Sequence, residues 1–168
     1  MNKTVVEAIN RQINSELSAS YSYLAMSAFC ESQNFPGCAR WLRMQSQEEY
    51  GHAMKLLDFL LNRHAAVELK AIEKPMGQYA SIAAVFETAL EQEQEVSKQF
   101  DALYELAFKE KTFAAFVELN WFLMEQVEEE KTARTIVARF KLVGSDGPSL
   151  LELDRELGAR SASGGEGA

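Results

Sequence analysis

The sequence predicts an all-α fold: a four-helix bundle with one long crossover and a short fifth helix at the C-terminal end. Three observations predict it. Proline occurs only three times in 168 residues, at Pro36, Pro75 and Pro148, so very long stretches are free to be helical. The prolines and most glycines cut the chain into four long segments and one short one, each cut with turn chemistry. Each long segment also repeats apolar residues at alternating three- and four-residue steps, the mark of one buried helical face.

The first segment runs from about Thr4 to Cys30 and stops at Ser32-Gln33-Asn34, before Phe35-Pro36-Gly37. The second runs from Pro36, a favoured first-turn residue, to Asn62. Ser81 and Thr112 are expected N-caps of the third and fourth, and Gly144 ends the fourth. A short amphipathic piece, Ser149 to Leu157, is closed by Gly158. Segments of about 27 to 32 residues make rods near 40 Å long at about 1.5 Å per residue. The first and second segments, like the third and fourth, are joined by a few residues and should be antiparallel. The link from Arg63 to Ala80 can reach about 60 Å when extended, enough to cross the bundle and leave its flanking helices parallel.

One domain is expected over residues 1–160, with 161–168 a disordered tail. With 47% hydrophobic and 25% charged residues, the composition is that of an ordinary globular chain. Acidic residues outnumber basic ones 25 to 17, which disfavours nucleic acid and favours cations as partners. Cys30 and Cys38 lack a C-x-x-C spacing and read as small buried residues in a reducing compartment. The N-terminal stretch has no apolar signal core and no run is long enough to span a membrane, so a cytoplasmic protein is expected.

The inward stripes carry the chemistry. They read Ile9, Ile13, Glu16, Ser20, Tyr23, Ser27 in the first segment and Leu42, Gln45, Glu49, His52, Leu56, Phe59 in the second. In the third they read Phe86, Leu90, Glu93, Val96 or Ser97, Phe100, and in the fourth Leu119, Phe122, Gln126, Glu129, Ala133, Ile136, Phe140. Every stripe is polar in its middle. Glu16, Glu49, Glu93 and Glu129 should therefore meet halfway along the bundle, where desolvating each carboxylate costs several kcal/mol. No Lys or Arg sits mid-stripe to offset this, so another cation is required. Four carboxylates and the imidazole of His52, with the Gln126 amide, make an oxygen-rich ligand set suited to iron or manganese. Glu49 and His52, three apart, lie one turn apart on a single face.

The motifs that carry these residues resemble those of the ferritins, and of the haem-free bacterial ferritins more than other branches. They are Asn14-Ser15-Glu16-Leu17 with Tyr23-Leu24, Gln47-Glu48-Glu49-Tyr50-Gly51-His52, Glu91-Gln92-Glu93-Gln94, and Trp121 leading into Glu125-Gln126-Val127-Glu128-Glu129-Glu130-Lys131. The resemblance spans nearly the whole chain. It implies a hollow homo-oligomeric shell of 24 subunits, oxidation of ferrous iron by dioxygen at a di-iron ferroxidase site within each bundle, and storage of a ferric oxo-hydroxide mineral.

By the same resemblance, Glu16, Glu49 and His52 would hold one iron, and Glu49, Glu93 and Glu129 the other, with Glu49 bridging. Gln126 would orient bound water or oxygen. Glu48, Glu125 and Glu128, sharing Glu129, match a third iron position, and equally fit a solvated acidic face. Tyr23 is implied as an electron donor with Trp121 near the site, though both also fit plain core packing. No haem is expected, because Glu129 and Tyr50 stand where haem-binding relatives carry a second histidine and a methionine. Two positions that line three-fold pores in many ferritins align with Phe116 and Leu119, leaving Glu118 as the nearest carboxylate. Two rival readings keep part of this picture: a di-metal oxidase or peroxidase without storage, and a metal-free structural bundle.

Overall fold

The computed structural model describes residues 1–160. Five helices are present, α1 (Lys3–Ser32), α2 (Pro36–Asn62), α3 (Ile82–Lys109), α4 (Phe113–Val143) and α5 (Gly147–Gly158), and no strand occurs among the described residues. The all-α bundle with a crossover and a short fifth helix is the observed fold. The tail at 161–168 lies outside the described residues.

The helix ends follow local chemistry. Asn2 caps α1 by accepting from the Thr4 and Val5 amides, and Ser81 caps α3 by accepting from Ala84. Thr112 occupies the N-cap of α4, yet its hydroxyl makes no capping bond. At the other ends, α1, α2 and α3 close through Asn34, His64 and Lys111, all at positive φ. Each is followed by an amide that reaches back five residues: Phe35 to the Cys30 carbonyl, Ala65 to Leu60, and Thr112 to Ala107. These bonds satisfy carbonyls the helix leaves open.

The crossover is irregular in structure but tied down. Asn10 donates to the Ala66 carbonyl at 2.9 Å and accepts from the Glu68 amide at 2.7 Å. Asn14, one turn on, donates to the Glu68 carbonyl at 2.8 Å and accepts from the Lys70 amide at 2.7 Å. Two carboxamides four apart thus pair with the extended chain as a strand would, and satisfy backbone groups that have no ladder partner.

The bundle pairs α1 with α2 and α3 with α4, and α1 also packs on α3. Its core falls into two apolar blocks. One contains Met26, Trp41, Phe86, Ile136, Phe140 and, from α5, Leu153 and Leu157. The other contains Ile9, Ile13, Leu56, Phe100, Leu119 and Phe122. Between them lies a layer of buried polar side chains: Glu16, Gln45, Glu49, His52, Glu93, Gln126 and Glu129. Cys30 and Cys38 are buried free thiols in the first block, and burial pushes both pKa values up, that of Cys30 to about 12.

Helix α5 docks across the start of α2. Phe35 offers α2 no side-chain cap, and the cap comes instead from Asp154, whose carboxylate accepts from Gly37 N at 3.1 Å and Cys38 N at 2.7 Å. Charge complements the helix dipole there as well. The approach needs Gly37, because a Cβ there would stand 1.8 Å from the Asp154 carbonyl oxygen, a backbone atom that cannot swing away. Gly37→Ala should therefore undock α5 and lower the thermal midpoint by several degrees, checked by a melt alongside proteolysis between α4 and α5.

Candidate metal centre

Each element of the polar layer follows from helical register. Glu16 on α1, Glu49 and His52 on α2, Glu93 on α3 and Glu129 on α4 all face inward at one depth. Glu16 and Glu49 have no solvent exposure, and Glu93, His52 and Glu129 are also buried. Ligand atoms of Glu16, Glu49 and His52 lie within 4.8 Å of one another, and this is the one such group found among the described residues. The Glu93 and Glu129 carboxylates are close enough for their charges to act on Glu49.

Hydrogen bonding divides the layer in two. Glu93 Oε1 accepts from the Tyr23 hydroxyl, and Oε2 accepts from Gln126 Nε2 at 3.2 Å. Glu129 Oε2 accepts from Gln45 Nε2 at 2.7 Å, and Glu16 Oε1 from Gln12 Nε2 at 2.6 Å. By contrast, Glu16 Oε2, both oxygens of Glu49 and His52 Nδ1 are buried with no hydrogen-bond partner. His52 Nδ1 stands 3.3 Å from Glu49 Oε2 and 3.9 Å from Glu16 Oε2, within ion-pair range but not aligned as a hydrogen bond. Orphaned buried acceptors are costly, and these four, converging from three side chains, could hold a divalent cation.

The electrostatics agree. Burial first, then the neighbouring Glu49 charge, raises the Glu16 carboxyl well above its usual range. Burial, then the Glu93 charge, does the same to Glu49. Burial likewise raises Glu93, and burial with the charges of Glu93 and Glu48 lifts Glu129 to about 7. Neutral amides and a phenol orient these carboxylates without cancelling their charge. Tyr23 is fully buried, and burial followed by the Glu93 charge pushes its phenol up, so it stays a donor.

The other residues singled out by sequence are placed as follows. Trp121 is 41% exposed, so it is a lid on the layer rather than core, and its ring meets that of His52 edge-on with centroids 5.5 Å apart. Gln126 is buried and bonds to Glu93. Glu48, Glu125 and Glu128 are not gathered at ligand distance: Glu48 is engaged by Arg160, Glu128 is exposed near Lys131 at 3.6 Å, and Glu125 is half-buried. Leu119 corrects the pore alignment, because at 1% exposure it faces the core and cannot line a channel. Phe116 stacks on Tyr104 and Glu118 pairs with Lys55 at 3.6 Å. Sequence reasoning assigned no role to Gln12 or Gln45. For Gln12 a signal existed, since it precedes its carboxylate, Glu16, by four residues on the same face; the partner of Gln45, Glu129, lies on another helix.

Fold and site together define a class, a helical bundle built around a carboxylate-rich candidate metal centre. The family model described as a ferritin-like domain matches residues 6–143. The bacterial non-heme ferritin of Staphylococcus aureus (strain USA300) is 37% identical over 161 residues, covering 96% of this chain and 97% of that one. The protein of the same description from Staphylococcus haemolyticus (strain JCSC1435) is 38% identical over the same share. Among solved structures, a novel open pore ferritin from the hyperthermophilic Archaeon Archaeoglobus fulgidus is 43% identical, with a TM-score of 0.95 over 96% of this chain and 99% of that one. The chain belongs to the ferritin family.

Proposed function

We propose that this chain is an iron-storage ferritin that oxidises ferrous iron with dioxygen inside each bundle and keeps the ferric product as an oxo-hydroxide mineral within a shell of its own copies. The observation that carries this reading is the buried layer of four glutamates and one histidine with, among the described residues, no Lys or Arg buried inside it. Ferrous iron is the substrate that supplies the missing charge.

In this reading Glu16, Glu49 and His52 hold one ferrous ion through side-chain atoms that are otherwise left without partners. Glu49, with both oxygens free of hydrogen bonds, is the residue suited to bridge to a second ion, held also by Glu93 and Glu129. Tyr23, Gln126, Gln45 and Gln12 fix carboxylate orientation by donating one hydrogen bond each, leaving the other lone pairs for metal. Binding displaces the protons that burial otherwise retains on these carboxyls. Each ferrous ion then gives up one electron to dioxygen. Trp121, packed edge-on against His52, limits water at that side.

Assembly into about 24 subunits has support in surfaces that a lone chain leaves wet. Phe113, Val117, Met124 and Val127 form an exposed apolar row along α4, and Tyr21 and Leu24 are exposed on α1. Helix periodicity puts the row on one side. With Leu119 in the core and Glu118 paired to Lys55, the two aligned positions, Phe116 and Leu119, both among the described residues, offer no acidic pair at a narrow entry. An open pore, the term used of the Archaeoglobus ferritin, would remove the need for one.

The test is to add ferrous iron aerobically, far beyond what the layer could ligate, and quantify iron eluting with protein on size exclusion. The expected result is a very large particle carrying most of the iron. Small particles with a few irons per chain would favour a di-metal oxidase or peroxidase, and no bound iron would leave a structural bundle.

A further inference from the structure

Just beyond α5, the chain brings a guanidinium to the edge of the buried layer. Arg160 Nη2 donates to both oxygens of Glu48, at 2.9 and 2.7 Å, and Nη1 donates to Gln45 Oε1 at 2.9 Å. Its guanidinium carbon lies 4.9 Å from the centre of the Trp41 ring. The two charged side chains are only 22% and 24% exposed, so this is a packed pair and not a surface contact.

The contacts have a directional consequence. Gln45 is fully buried and spends its Nε2 on Glu129 at 2.7 Å. A guanidinium has donors only, so it accepts just one orientation of the Gln45 amide: oxygen towards Arg160, nitrogen towards Glu129. Reversing the amide would set donor against donor on one side and acceptor against carboxylate on the other. A lysine could neutralise Glu48, but its compact ammonium lacks the planar fork that grips Glu48 and Gln45 together. Glu48 on α2 and Glu129 on α4 also repel across the layer's edge, and a cation placed against Glu48 relieves that repulsion.

We propose that Arg160 is a positioning residue of the metal centre, a tethered cation that engages Glu48 and locks the Gln45 amide onto Glu129, and so keeps a further metal ion from the Glu48 edge. The inference rests on the iron-binding reading of the buried layer. It turns the C-terminal helix into part of the site: α5 anchors through Asp154 and Gly37, and its end delivers the guanidinium.

The test titrates chelator-treated, assembled protein with cobalt(II), an ion that binds without being oxidised in the assay, by calorimetry and by its visible absorption. Arg160→Ala should bind one more cobalt ion per chain than wild type, and Arg160→Ala combined with Glu48→Gln should lose it again. If Arg160→Ala does not assemble, Arg160→Gln, which keeps bulk without charge, is read the same way. Wild-type stoichiometry and affinity in the single variant would overturn the proposal, as would an additional ion that persists in the double variant. A wild-type chain that binds no cobalt would instead overturn the iron-binding reading beneath it.

Discussion

Glu49→Ala and His52→Ala should each lower the initial rate of aerobic ferrous iron oxidation by at least about 100-fold while leaving the assembled particle intact. The magnitude follows from a comparison: losing a mere outer partner of a metal ligand typically costs about 10- to 100-fold, and these two residues are proposed as ligands themselves. Glu49 should be the more sensitive, because both its oxygens lack any other partner and it is the side chain placed to serve two ions. Assembly should survive, since neither residue reaches the surface.

A second readout separates lost chemistry from lost structure. In metal-free protein, Glu49→Gln replaces a buried, partnerless carboxylate with a neutral group of the same shape, so this variant should melt at a higher temperature than wild type. Less activity with more stability is the signature of a functional site that strains its fold. Glu95→Ala, on α3 two residues from Glu93 but solvent-facing beside Lys98, is the control and should leave oxidation within about twofold of wild type. Unchanged oxidation in Glu49→Ala and His52→Ala would remove both from the site.

How much of this was legible in the sequence depends on how local each signal is. The helices were readable because Pro36, Ser81, Gly144 and the three- and four-residue apolar steps act within a turn or two. The polar layer was readable for a related reason: four stripes interrupted at one depth can only converge. Non-local partnerships were not. Asp154 caps a helix 117 residues away, Asn10 and Asn14 hold a crossover more than 50 residues on, and Arg160 reaches back to Glu48 across 112 residues. Each needs the tertiary fold before its partner exists. Trp121 shows a different limit: plain core packing was its bland expectation, and at 41% exposure it sits at the rim instead. Leu119 shows the converse: an alignment to pore positions conflicts with its own place on the inward stripe, and the stripe prevails.

Metal-free protein should lose stability as pH rises from about 4.5 to about 7, and divalent cations should reverse that trend. The carboxyls of Glu16, Glu49 and Glu93 are raised by burial, and that of Glu129 moves from 4.5 to about 7. Between those two values the folded chain retains a proton on Glu129 that the unfolded chain has released, so stability falls as pH climbs. One group contributes about 1.4 kcal/mol per pH unit, which across this window is on the order of 3 kcal/mol for Glu129 alone. That decline is complete once pH passes its folded value, and Glu16 and Glu49, also raised by burial, act in the same direction. With metal the sign inverts, because the deprotonated carboxylates are the ligands: binding releases protons, tightens with pH, and stabilises only the folded state. Thermal melts at several pH values, with chelator and then with cobalt(II), read both trends, and calorimetry in buffers of different ionisation enthalpy counts the protons released. A flat or rising profile in chelator would show that the buried carboxylates are neutralised by something inside the chain, and the need for a bound cation would go with it.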